Sequence, residues 1–150
     1  MKKVTLIIVI VASVFLTASC TQEASGEELG YTALLELLTE NGFMYTEGEL
    51  DAEHSFLSVA RKPLLIGDEI ISVYEYASNG DMEKDSAYID KNGLGISRPG
   101  GFVKISWIST PYFFKSGTLV VNYVGENEQI LSFLAEYYGA EFAGGRYLNG

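Results

Sequence analysis

The sequence predicts an α+β fold, a single domain on an antiparallel sheet of about five strands with helices packed mainly on one face. Three observations predict it. Stretches near either end place apolar residues at helical spacing. Between them lie short runs rich in β-branched and aromatic residues, the composition of strands. Glycine turns join those runs as hairpins, so the order reads helix, two or three strands, helix, two or three strands, helix.

Ser25-Gly26-Glu27-Glu28 has the Ser-x-x-Glu spacing of a capping box and predicts a helix to about Asn41. Tyr31, Leu34, Leu35, Leu37 and Leu38 supply its apolar face, and Gly42 is placed as its left-handed stop. Phe43 to Glu47 reads as a short strand and Glu47 to Glu53 as an acidic loop. His54 to Arg61 reads as a second strand, ended by Pro63, which cannot donate to a ladder. Gly67-Asp68 marks a hairpin, and Glu69 to Tyr76 is the clearest strand. A capped helix is expected from Ser78-Asn79-Gly80-Asp81 to Asp90, with Met82 and Ile89 inward. Lys91 to Gly101 is rich in glycine and reads as a loop. Phe102 to Ser109 alternates Val103, Ile105 and Trp107 inward, the pattern of a half-buried strand. Ser116-Gly117 turns a hairpin between Tyr112–Lys115 and Thr118–Val124. The last helix is expected from Glu126 to Tyr138, its acids Glu126 and Glu128 at the positive end and Gly139 as its stop. The domain plan is residues 1–19 as a signal segment, 20–27 as a tether, 28–143 as the body, and 144–150 as a flexible, glycine-rich tail.

The first twenty residues bear on location. Met1-Lys2-Lys3 is basic, Val4 to Leu16 is apolar apart from Thr5 and Ser13, and Thr17-Ala18-Ser19 precedes the single cysteine, Cys20. That order is the layout of a secretory signal peptide. The cysteine after small residues resembles the lipobox of bacterial lipoproteins, with Leu16 one place further from the cysteine than usual and Thr17 in its stead. The resemblance implies a diacylglyceryl group on the Cys20 thiol and cleavage before it. The apolar run spans 13 residues, short of the roughly twenty that cross a bilayer. An ordinary signal peptide would leave an extracytoplasmic thiol with no partner.

Removing residues 1–19 leaves 131 of the 150, enough for one domain with a real core. With one cysteine, packing rather than disulfides holds it. The formal net charge is −10; Lys2 and Lys3 leave with the signal segment, which contains no acid, so the remainder carries −12. Such a chain repels phosphate backbones, and nucleic acid is not an expected partner. Anionic headgroups repel it too, so membrane attachment falls to the acyl chains, two of which anchor firmly where one does not.

From Ile70 onward the chain also resembles a domain of small, uncharacterised bacterial lipoproteins. The resemblance is carried by Val73-Tyr74-Glu75-Tyr76, by Trp107-Ile108-Ser109-Thr110-Pro111-Tyr112-Phe113-Phe114-Lys115, and by Val121-Asn122-Tyr123-Val124-Gly125. That group often has histidine where this chain has Tyr112, so any role of that imidazole is missing here. The resemblance implies class and location and no activity.

Catalytic and cofactor signatures are weak. His54 is the single histidine, so a zinc site would lack the usual set of nitrogen and sulfur ligands. No Gly-x-Ser-x-Gly presents a serine. Glu47, Glu49, Asp51 and Glu53 would face one side if extended, but they lack the EF-hand pattern and read as a solvated loop. The glycines around Arg98 lack the Gly-Lys-Ser/Thr ending of a phosphate loop. No cofactor or metal is expected, and the chain reads as a non-enzyme. Arg98, isolated among glycines, is the exposed cation to watch, and Trp107, Tyr112, Phe113 and Phe114 are the candidate binding aromatics. Either helices and the hairpin edge hide those rings, or an apolar patch stays open as a contact site. The expected function is a lipid-anchored, extracytoplasmic binding or interaction domain, held to the membrane through Cys20 and facing a protein or envelope partner. The rivals are a small-ligand carrier, which needs a concave apolar pocket, and a hydrolase using paired carboxylates such as Glu75.

Overall fold

A computed structural model describes residues 29–148. The capping box at Ser25–Glu28 and the lipidation site Cys20 lie outside the described residues. The order is α1 (Tyr31–Glu40), β1 (Thr46–Glu47), β2 (Arg61–Ile66), β3 (Glu69–Glu75), α2 (Asn79–Ser86), β4 (Gly95–Arg98), β5 (Gly101–Lys104), β6 (Pro111–Ser116), β7 (Leu119–Val124), α3 (Glu128–Tyr138) and β8 (Ala143–Gly144), then a short 3₁₀ turn at Gly145–Tyr147. The fold is α+β, as the sequence predicts. Six strands form one antiparallel sheet in the order β1-β2-β3-β7-β6-β8, and β4-β5 is a separate hairpin.

The helices begin and end where local chemistry can satisfy their orphan backbone groups. Glu75 Oε1, exposed at the end of β3, accepts the Tyr31 N–H at the start of α1. Asn41 closes that helix, and Gly42 follows at φ 78°. Its N–H reaches Thr39 O while the Phe43 N–H reaches Leu38 O, the Schellman pattern. The Ser78 hydroxyl accepts from the Asp81 N–H to open α2, and Asn127 Oδ1 accepts from Gln129 and Ile130 to open α3.

Two cores follow from the alternation of side chains along β3, β6 and β7. Ile71, Val73, Phe114, Leu119, Val121 and Tyr123 turn toward α1 and α3 and meet Leu34, Leu38, Ile130, Phe133 and Leu134. Tyr74, Phe113 and Val120 turn the other way, onto Met82 of α2, Ile96 of β4 and the segments around Leu57 and Trp107. The sheet is therefore the middle of three layers. Two helices lie on one face, and the second face is also covered over most of its length. That double cover accounts for Leu119-Val120-Val121-Asn122-Tyr123, a run buried without a break.

Four local expectations are corrected. His54 to Arg61 is not a strand, because the Ser55 hydroxyl donates to the Leu57 and Val59 carbonyls and bends the segment. The strand starts at Arg61 and runs through Pro63. The Pro63 carbonyl accepts from Gly48, so its missing donor faces the thin β1 edge. Lys91 to Gly101 is not all loop: Pro99-Gly100, with Gly100 at φ 99°, turns β4 into β5. As a result β5 stops at Lys104 with Val103 exposed, and only Ile105 and Trp107 of the expected inward set pack on the core. Phe142 and Gly144 donate to the Phe113 and Lys91 carbonyls, Ala143 is fully buried, and a Cβ on Gly144 would lie 2.0 Å from the Pro111 carbonyl oxygen. Glycine there permits backbone contact closer than any side chain allows.

Candidate functional site

β3 and β7 each carry one small polar residue among apolar neighbours, Ser72 and Asn122, and the register sets them directly opposite each other. Both lie on the second face of the sheet. Toward Tyr74 and Val120 the second core covers that face; toward Ile70 and Val124 the cover ends. A half-enclosed cleft of about 350 Å³ results, lined by Phe56, Ile70, Ser72, Trp107, Asn122 and Val124. Its size falls in the lower part of the range of small-molecule sites, about 300–1,000 Å³.

The lining residues are held by their elements. Trp107 donates its indole N–H to Gly93 O at 2.7 Å, and its ring stands edge-on to Phe56 at 5.6 Å and to Phe113 at 6.0 Å. Ser72 and Asn122 sit on the two central strands, only 7% and 2% exposed. Asn122 donates through Nδ2 to the Tyr112 carbonyl at 3.3 Å. A carbonyl can accept but not donate, so this contact places Oδ1 on the cleft side. Neither Asn122 Oδ1 nor the Ser72 hydroxyl is bonded to another described protein group, and both reach solvent through the cleft.

One flank of the cleft is formed by Arg61, whose Nη2 pairs with Asp51 at 2.8 Å while its Nε is buried without a partner. The His54 backbone N–H, the His54 ring and Arg61 hold the Asp51 carboxyl down at about 2 against the opposing pull of partial burial. The neighbouring Tyr74 hydroxyl is buried without a partner, and burial pushes its pKa well up. On the rim stand Asp68 and Glu69, the latter accepting from the Tyr123 hydroxyl. Ile108, fully exposed, overhangs the opening. A larger and more open hollow of about 610 Å³ lies along Lys104 to Thr110 and shares Ser106, Trp107 and Ile108 with the cleft, but none of its polar lining side chains is more than nine-tenths buried.

The residues singled out from sequence divide sharply. Trp107 lines the cleft. Phe113 and Phe114 are fully buried in opposite cores, and Tyr112 is half-buried and stacked on Tyr123, so the aromatic hairpin presents no continuous patch. Arg98 is not a free cation: its Nη2 bonds Asp85 Oδ1 at 2.7 Å, and its guanidinium lies over the Tyr88 ring. Asp85 is the hub of that region. Its Oδ2 accepts from the Ser58 N–H, the Ser58 hydroxyl and the Tyr76 hydroxyl. Burial alone would raise the Asp85 carboxyl, but those bonds and Arg98 together bring it below the ordinary range.

The carboxylates are similarly committed. Glu47 pairs with Lys62 and accepts from Tyr31, Asp51 pairs with Arg61 and His54, and Glu75 caps α1. Among the described residues no group of three His, Cys, Asp or Glu is placed to hold a metal ion, and no helix there is long and apolar enough to cross a membrane. No protein-family model matches the chain, and neither a curated protein nor a solved structure is significantly similar to it.

Proposed function

We propose that this chain is a lipid-anchored, extracytoplasmic binding domain, tethered through Cys20, whose working surface is the cleft over β3 and β7. The single observation that carries the binding reading is the Ser72–Asn122 pair. Two side chains more than nine-tenths buried present hydrogen-bonding atoms with no protein partner at the floor of a largely apolar hollow, where a ligand can reach them. The anchor reading rests on the resemblance of residues 1–20 to a lipoprotein signal. The Gly93–Gly101 segment is not the contact surface in this reading, since Arg98 is engaged by Asp85 and the segment is largely a hairpin.

Of the rivals, the small-ligand carrier gains a specific observation in the half-enclosed apolar cavity, and it joins the proposal as the form that binding takes. The carboxylate hydrolase gains none: Glu75 is occupied at the α1 terminus. The test is a fragment screen by NMR on the ¹⁵N-labelled protein. Shifts clustering on Ser72, Trp107 and Asn122 support the reading, and hits clustering elsewhere or spread over the surface overturn it.

A further inference from the structure

We infer that the cleft takes a small, uncharged carboxamide, one with an apolar body about the size of a single ring. The inference rests on the binding reading above and adds the chemical class. The head group follows from the floor: Asn122 Oδ1 can only accept, while the Ser72 hydroxyl can donate as well as accept. The two residues are directly opposite each other in the β3–β7 register, so one planar group can span them, its N–H donating to Asn122 Oδ1 and its C=O accepting from Ser72. A carboxamide carries both functions on adjacent atoms. An ester or ketone offers no donor and displaces the solvent that reaches Asn122 Oδ1 without replacing its hydrogen bond.

Charge narrows the class further. Of the three charged side chains at the cleft, Arg61 is neutralised by Asp51 at 2.8 Å, while Asp68 and Glu69 stand on the rim, and the whole chain carries −10. An anion meets repulsion on approach and an acceptor lone pair at the floor. The body follows from the walls, where Phe56 and Trp107 offer ring faces and edges, and Ile70 and Val124 aliphatic surface. The indole N–H is already spent on Gly93, so Trp107 contributes area and not a polar contact.

The test compares three probes with one body, 2-phenylacetamide, phenylacetate and methyl phenylacetate, titrated into the full chain in detergent micelles. The readouts are the Asn122 side-chain amide and Trp107 indole N–H resonances; Trp107 is the single tryptophan, so its signal is unambiguous. The amide is expected to bind at about millimolar strength, as suits a ligand of its size, with the carboxylate and the ester each at least roughly tenfold weaker. Asn122→Leu removes that preference, and Ser72→Ala, which deletes only a hydroxyl, weakens the amide roughly two- to tenfold while leaving the ester unchanged. If all three probes shift the same resonances with equal affinity, the class is wrong and the cleft remains a binding site. If none shifts them, both the class and the cleft reading fall.

Discussion

Removing the Asp85 carboxylate tests how the second core is held together. One Asp85 oxygen accepts three hydrogen bonds, and the other holds Arg98 of the β4–β5 hairpin. In Asp85→Ala the Tyr76 hydroxyl, on a residue 5% exposed, is left without an acceptor, at a cost of about 1–3 kcal/mol. The Ser58 groups lie nearer solvent and rehydrate in part, adding about 1 kcal/mol. Arg98, partly exposed, regains water, so its lost pairing adds only about 0.5 kcal/mol. The sum is about 3 kcal/mol, or a fall in Tm of roughly 12 °C at about 4 °C per kcal/mol for a body of this size. Arg98→Ala should cost only about 0.5–1 kcal/mol by the same reasoning.

The sign of the pH dependence is fixed as well. The Asp85 carboxyl is held below its unfolded value, so its contribution is complete above about pH 4 and fades as pH falls through the folded pKa. Denaturant unfolding at pH 7 and at pH 3 measures both effects. The difference between wild type and Asp85→Ala should shrink at the lower pH. Equal costs for Asp85→Ala and Arg98→Ala, or a difference that grows in acid, would refute the assignment of Asp85 as the hub.

Other outcomes follow from the same contacts. Leu38→Ala, at a fully buried position on the inner face of α1, should cost about 3 kcal/mol in denaturant unfolding. Gly144→Ala meets the Pro111 carbonyl and an unfavourable φ of 78°; it should cost about 2 kcal/mol and speed hydrogen exchange at Phe142 and Gly144. A loose tail would show neither effect. The Asp51 carboxyl should titrate near pH 2 by NMR. In Arg61→Met it should move up only partway, because the His54 backbone N–H is the larger influence.

Much of the fold was legible, and the misses share a cause. Three helix ends were readable because caps are local: Gly42, Ser78 and Gly139 do what their chemistry dictates, whereas α1 starts at Tyr31 after a non-helical Leu29–Gly30 and α2 stops at Ser86, short of the expected Asp90. The hairpins at Gly67-Asp68 and Gly117 were readable for the same reason. What the periodicity did not reveal was the second core. The rings of the aromatic hairpin were expected either to be hidden by helices and the hairpin edge or to leave an open patch, whereas Phe113 and Phe114 each have a core of their own. The polar pair that builds the cleft left a trace, Ser72 within Ile-Ile-Ser-Val and Asn122 within Val-Val-Asn-Tyr. Reading it as a site required the register that sets the two opposite each other. Arg98 looked free because its partner lies thirteen residues earlier, on a helix whose packing only tertiary structure supplies. Trp107 alone of the predicted aromatics remained at the site, since it stands on a segment outside the sheet.

The account centres on a cleft-bearing domain carried at a membrane surface, and the anchor is its most exposed premise. The decisive measurement is the intact mass of the protein recovered from membrane and soluble fractions of a bacterial host, wild type beside Cys20→Ser. The account predicts wild type in the membrane fraction, cleaved before Cys20 and heavier by a diacylglyceryl group, with the variant unprocessed or released. A wild type that is soluble and unmodified would contradict it, leaving Cys20 an ordinary thiol and the cleft a site on an unanchored domain.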